Sequence, residues 1–194
     1  MTNSAPRLDC KVISLKTSIE RRKLIEQNLR GFQIKWDFFD ACRSDDEVGL
    51  KSDINNQLIK FGRPLSAAEI GCFKSHYSVI KFFLNNSINE WLLVLEDDVL
   101  IDLNFNFGEL IGFLSKNKIS HFRLFCKKNK PSRTINTFEE FEIVRYYSDP
   151  YGMQAYLLNK NGAKQLLDAI NTIDLPIDDE FGRFWNNKLP IIGI

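Results

Sequence analysis

The sequence predicts an α/β domain built on a mostly parallel sheet, and three observations carry that prediction. A strand-like run, a helix and a second strand-like run follow one another within about thirty residues, between Cys10 and Phe39. That succession is the signature of a βαβ unit with a right-handed crossover. The apolar run WLLVL, Trp91 to Leu95, has the continuous hydrophobicity of a strand buried on both faces. Helical and strand-like segments then keep alternating to the end of the chain. A length of 194 residues, 44% of them hydrophobic, fits one domain spanning 1–194 with a sizeable core.

The elements follow in order. Cys10 to Leu15 is β-like at Val12 and Ile13. Ser18 is placed to cap a helix whose apolar positions are Leu24, Ile25 and Leu29, and Gly31 stops it. Ile34 to Phe39 is the next strand. Residues 43–64 are polar and irregular and end in Gly62, Arg63 and Pro64. They are expected to form a long loop or short helical pieces, and loops of this length are often functional. Ser66 and Glu69 form a capping box for a helix with the stripe Ile70, Phe73, Tyr77, Ile80 and Leu84. Glu69, Cys72 and His76 fall on an adjacent face of that helix. After the strand at Trp91 to Leu95 come a helix over Gly108 to Lys116 and a strand over His121 to Cys126. KKNKPSR, Lys127 to Arg133, is a basic, proline-broken loop. Strands are expected over 138–147 and 153–158, a short helix over Ala163 to Ile170, and a last helix opening at Asp178, Asp179 and Glu180 after Pro176.

Composition narrows the function. The formal net charge of +1 offers no global field for nucleic acid. The four cysteines are scattered and form no CxxC pair, so they carry no zinc signature and are expected to be reduced core thiols of a cytoplasmic protein. The opening MTNSAPRLDCK lacks the apolar core of a signal peptide, and no stretch approaches the ~20 apolar residues of a bilayer span.

The buried strand runs directly into Glu96, Asp97 and Asp98. Three adjacent carboxylates repel one another. In open α/β sheets the strand's carboxyl end is where ligands bind. Side chains alternate faces along a strand, so Asp97 and Asp98 do not both enter the core. Carboxylates held together at such a rim suit Mn²⁺ or Mg²⁺, hard cations that bind through one or two carboxylates plus substrate phosphates. The plain alternative is that the triplet caps a helix or faces water.

Taken together, VISLKTSIERRKLIEQNL, FFDA, LSAAEIGCFKSHYSVIKFF, WLLVLEDDV, QAYLLNKNGAKQLLDA and LPIDD resemble, in order and over nearly the whole chain, glycosyltransferase family 25 of lipopolysaccharide and lipooligosaccharide biosynthesis. The resemblance implies a GT-A-like nucleotide-binding α/β/α sandwich. It also implies a UDP-sugar donor, galactose foremost, and inverting, metal-dependent transfer to a lipid-linked oligosaccharide acceptor. By likeness to a D-x-D motif, Glu96 and Asp98 would hold Mn²⁺, with Asp97 among the donor-binding residues. Ser14, Leu15, Arg21 and Arg22 would lie under the nucleotide, where a helix N-terminus and paired guanidinium donors favour phosphate. Asp40 and Ala41 would meet the base and ribose. Glu69, Ser75 and His76 would border the donor pocket. Inversion needs a base on the far face of the sugar, and Asp178 and Asp179 are the candidates. They serve equally as first-turn helix charges.

The family's setting implies peripheral association with the inner face of a bacterial inner membrane, with KKNKPSR as a weak contact candidate. The chain is short for this family and ends at LPIIGI soon after the late acidic segment. Acceptor-binding elements are therefore expected to be missing, and a non-catalytic UDP-sugar-binding or scaffold protein is the alternative reading.

Overall fold

The structure, a computed structural model, describes residues 8–194. Residues 1–7, most of the segment read above for a signal peptide, lie outside the described residues. β1 (Leu8–Ser14), α1 (Ile19–Asn28) and β2 (Trp36–Asp40) form the expected βαβ unit. Cys10 to Ser14 pair in parallel with Trp36 to Asp40. Ile25 and Leu29 of this unit are buried, but Leu24, expected beside them, is exposed. At about 100° per residue, Ile25 and Leu29 share a face and Leu24 is turned away from it.

The polar segment that follows holds β3 (Lys51–Ser52) and α2 (Ile54–Phe61). Asp53 caps α2 by accepting from the Asn56 N–H, and Gly62 ends it in the left-handed conformation. α3 (Ala67–Asn86) opens with the full capping box: the Ser66 hydroxyl accepts from the Glu69 N–H while the Glu69 carboxylate accepts from the Ser66 N–H. β4 (Trp91–Glu96) and α4 (Phe107–Lys116) match their sequence reading closely.

The second half departs more. β5 (His121–Arg123) stops three residues before Cys126. β6 (Ser132–Phe138) starts inside the segment expected to be a basic loop and pairs with β7 (Phe141–Tyr146) as a hairpin. β6 is exposed everywhere but Phe138, so it lacks the alternation that announces a strand. β8 (Ala155–Asn159), α5 (Lys160–Ala169), β9 (Thr172–Ile173), α6 (Ile177–Gly182), α7 (Phe184–Asn187) and β10 (Ile192–Gly193) complete the chain. β10, in LPIIGI, was not foreseen.

The main sheet has eight strands in the order β2-β1-β4-β8-β5-β10-β7-β6, and β3 pairs with β9 separately. β2, β1 and β4 are parallel, whereas β8 runs antiparallel to both β4 and β5. β10 is parallel to β5 and antiparallel to β7, which is antiparallel to β6. Six strands therefore point one way and two, β8 and β7, point the other: mostly parallel in direction, mixed in pairing.

Strand alternation divides the interior into two cores. Cys10, Val12, Leu93 and Leu95 pack with Ile25, Phe107, Leu110 and Leu114 on the α1–α4 face. Ile13, Leu92 and Val94 pack with Phe73, Ile80, Ala163, Leu166 and Phe181 on the α3–α5–α6 face. β4 is thus buried on both sides, the reason for its unbroken apolar run. The cores form an α/β/α sandwich that holds the ends of β1, β2 and β4 level at one rim. No helix among the described residues is long and apolar enough to cross a membrane.

Candidate functional site

β1 and β4 are parallel neighbours, so Ser14 and the acidic triplet emerge side by side at the same rim. Each carboxylate finds a different environment. Glu96 ends β4 and pairs its Oε1 with His76 Nε2 at 3.1 Å. Asp97 is buried, with Oδ2 accepting from the Ser14 hydroxyl at 2.6 Å and Oδ1 2.5 Å from Arg21. Asp98 is half-exposed and lies 3.1 Å from the same guanidinium. The alternation expected from the sequence holds: one aspartate goes in, the next out.

Arg21 and His76 stand against the triplet and offset part of its mutual repulsion. His76 is buried, which opposes a charge. Its two ring nitrogens meet the Tyr156 hydroxyl at 3.2 Å and the Glu96 carboxylate at 3.1 Å. Asp98 retains a raised pKa, first because it is desolvated and then because Glu96 and Asp97 are near, with Arg21 only partly offsetting them.

In front of Glu96 and Asp97 lies a cleft of about 480 Å³, while Asp98 turns to a neighbouring cleft lined with Val99, Phe105 and Gln154. Ser14, Leu15, Arg21, Ala41, Ser75, His76, Glu96 and Asp97, all expected at a donor site, line the first cleft. The other expected donor residues support its walls. Arg22 donates to the Ser14 carbonyl at 2.7 Å, pairs with Asp40, and lies over the Phe38 ring. This arginine thereby ties the ends of β1 and β2 together. Glu69 serves the capping box and receives both terminal nitrogens of Arg63. That guanidinium, together with the Ser66 contacts, lowers the Glu69 pKa to about 2.

The wall opposite the triplet depends on Gly71, which sequence reasoning passed over. A Cβ there would stand 2.9 Å from the Cys42 carbonyl, so only glycine lets the loop after β2 lie against α3. Ser75 locks the same contact by accepting from the Cys42 N–H at 2.8 Å and donating to the Gly71 carbonyl at 2.6 Å. Gly71 and Ser75 were visible in the E-I-G-C-x-x-S-H stretch, but their partner lies about thirty residues away in a loop.

A model of glycosyltransferase family 25 (LPS biosynthesis protein) matches residues 9–181. The chain belongs to glycosyltransferase family 25. Among its relatives, procollagen galactosyltransferase 1-A of Xenopus laevis is 27% identical over 93% of this chain and 31% of its own length. A putative glycosyltransferase of Haemophilus influenzae is 29% identical over 92% of this chain and 65% of its own length. The lipooligosaccharide biosynthesis protein lic2B of Haemophilus influenzae is 25% identical, with 80% of this chain and 60% of lic2B covered. This family-25 chain thus spans about a third to two thirds of the length of these relatives. Solved structures share its fold. A197 from STIV has a TM-score of 0.54 and 10% identity over 97% of this chain and 81% of A197. A glycosyltransferase involved in glycosylation of the PBCV-1 major capsid has a TM-score of 0.51 and 12% identity, covering 97% and 81%. The architecture is GT-A-like, as the resemblance implied.

The late carboxylates of the family-25 domain lie on α6, beside the start of β8. Because β8 is antiparallel to β4, its entry flanks the triplet: the Glu96 N–H donates to the Gln154 carbonyl at 2.7 Å. Two residues earlier, the Gly152 N–H donates to Asp178 Oδ2 at 2.9 Å. Asp178 is therefore tethered to the same rim. Asp179 opens instead onto a separate cleft of about 530 Å³, shared with Tyr147, Tyr151, Phe184 and Trp185. Burial, followed by Asp149 and Asp178, raises its pKa to about 6. Beneath it, fully buried Arg123 donates to the Gly152 carbonyl at 2.8 Å and lies 3.1 Å from Asp149. The pair Arg123–Asp149 carries no local sequence signal, since its partners are 26 residues apart on a short strand and a loop.

Proposed function

We propose that this domain transfers a hexose, galactose foremost, from a UDP-sugar to a glycan acceptor, with inversion at the transferred carbon. The observation that carries the reading is the gathering of Glu96, Asp97 and Asp98 at the end of β4, at the edge of a cleft walled by strand ends and a helix N-terminus. A cation between that rim and a diphosphate would relieve the repulsion of like charges. Glu96 and Asp98 offer only oxygen donors, the set that suits Mn²⁺ or Mg²⁺. Bound there, the cation would supply charge neutralisation for the leaving diphosphate.

The remaining roles fall to the chain's own groups. Arg21, half-exposed and already paired with Asp97 and Asp98, is in place to give a guanidinium N–H to a phosphate oxygen as charge builds on the leaving group. Asp97 orients Arg21 and Ser14 rather than binding the cation. Arg22 and Asp40 hold the cleft's shape, with Ala41 lining it for the nucleoside. His76 fixes the Glu96 carboxylate. Between the two late carboxylates, Asp179 is assigned as the base, on the cleft that would receive the acceptor and next in sequence to the rim-tethered Asp178. Asp178 has an oxygen committed to the Gly152 N–H, whereas Asp179 opens to a cleft with a pKa near 6. A base of that strength accepts a hydroxyl proton at neutral pH. The aromatic side chains around it suit the apolar face of an acceptor sugar.

The acceptor is proposed to be a lipid-linked oligosaccharide, approached from the cytoplasmic side of the inner membrane. The choice follows the relative named for lipooligosaccharide biosynthesis, while procollagen galactosyltransferases match the chain at similar identity. If the basic segment from Lys127 holds the domain to anionic lipid, raising salt releases it from anionic vesicles.

The test is UDP release from a panel of UDP-sugars with Mn²⁺. Activity is expected from the native chain and not from Asp98→Ala or after EDTA. Undiminished release in both arms rejects the cation role. UDP binding without turnover favours the alternative, a domain that binds nucleotide sugar without transferring it.

A further inference from the structure

We propose that Cys72, His76 and Glu96 form a metal site of a second kind, for a borderline-soft divalent ion such as Zn²⁺ or Co²⁺, in the same cleft. It does not rest on the transferase reading, since it concerns a different donor set and is tested with metal alone.

Cys72 and His76 stand one turn apart on α3, which puts both on one face. That face meets the last residue of β4. One candidate ligand atom from each of Cys72, His76 and Glu96 lies within 4.8 Å of the others. A tetrahedral zinc with bonds of about 2.0–2.3 Å spaces its ligands roughly 3.3–3.7 Å apart. The 3.1 Å between His76 Nε2 and Glu96 Oε1 needs only a small widening to admit the ion.

The histidine is also oriented as a ligand. It is 1% exposed, and its Nδ1 is taken by the hydroxyl of fully buried Tyr156 at 3.2 Å. With Nδ1 occupied, Nε2 is the nitrogen presented to Glu96. An outer partner that fixes the ring in this way is the usual companion of a metal-bound imidazole. All three residues line the cleft, so a fourth position faces open space. Three protein ligands and one open position make the pattern of a reactive rather than a closed structural site.

The ligand types separate this site from the acidic rim. Thiolate and imidazole select zinc-type ions, and carboxylates alone select magnesium and manganese. A His76–Glu96 hydrogen bond would exist without any metal; what points to an ion is a thiol, an imidazole and a carboxylate converging on the wall of one cleft. Glu96 belongs to both donor sets, so an ion on Cys72 and His76 draws that carboxylate away from Asp98.

The experiment is a titration of the metal-free chain with Co²⁺, read by absorbance and followed by displacement with Zn²⁺. Equimolar Co²⁺ binding with a thiolate-to-cobalt charge-transfer band is expected, and Zn²⁺ should abolish that band. Cys72→Ser should lose the band and bind at least about tenfold more weakly. Tyr156→Phe, which keeps the buried ring, should lower affinity by about 10- to 100-fold. Asp98→Asn should leave the band intact. No band in the native chain overturns the proposal, as does a band that survives Cys72→Ser. Affinity lost with Asp98→Asn but kept with Cys72→Ser would also overturn it, by placing the ion on the acidic rim alone.

Discussion

Neighbouring residues of one chemical type take different tasks here because the backbone turns them to different surroundings. Asp97 is buried against Ser14 and Arg21, Asp98 half-exposed with a raised pKa, and Glu96 paired with His76. The two arginines divide the same way, Arg21 facing the cleft and Arg22 knitting strand ends. Two predictions belong at this scale. Asp179 has a pKa raised to about 6, chiefly by burial. If it is the base, its working form is the ionised one. The rate should then rise with pH through about 6, and Asp179→Asn should lose that limb and about 10²–10⁴-fold in rate, measured as a pH–kcat/KM profile. The same shift affects stability with the opposite sense. The folded state holds the proton more tightly than the unfolded chain, so ionisation costs stability above about 6. Asp179→Asn should therefore melt higher than the native chain at neutral pH, a sign opposite to its effect on activity.

At the scale of elements, most of what the sequence announced was periodic or capped. The βαβ unit, the α3 capping box and β4 all combine an apolar pattern with a local end signal, so their existence could be read without neighbours. β6 and β10 could not, because an exposed strand and a two-residue strand carry no pattern of their own and exist through pairing with β7 and β5. α2 was visible only as a possible short helix in a polar run, although Asp53 and Gly62 mark both its ends. The same distinction governs the site. The strand-end carboxylates were legible from the abrupt change WLLVL to EDD. Gly71 against the Cys42 carbonyl, and Arg123 against Asp149, depend on long-range approach and left no local trace. Ser66→Ala, which removes the α3 cap, should cost about 1 kcal/mol by denaturant unfolding. Gly71→Ala should push the loop after β2 off α3 and weaken UDP binding with little change in the helix content seen by circular dichroism.

At the scale of the molecule, the sandwich holds three strand ends level, and β4 is its axis because it packs on both sides. Leu93 is fully buried in the α1–α4 core. Leu93→Ala should cost about 2–5 kcal/mol in cavity and transfer terms, and for a domain of this size lower Tm by roughly 5–20 °C. Acid weakens the fold through carboxylates whose pKa the native state depresses. Glu69, held near 2 mainly by Arg63, contributes stability that is fully present above the ordinary glutamate range and is lost as pH falls toward 2. Glu69→Gln should flatten that part of the acid-unfolding curve.

The measurement that bears most directly on the whole account is calorimetric binding of UDP with and without Mn²⁺, to the native domain and to Asp98→Asn. Binding that requires Mn²⁺ in the native domain and falls at least about 100-fold in Asp98→Asn is the predicted result, within the range seen when a charge-stabilising group is removed. UDP binding of equal strength without Mn²⁺, unaltered by Asp98→Asn, would contradict it.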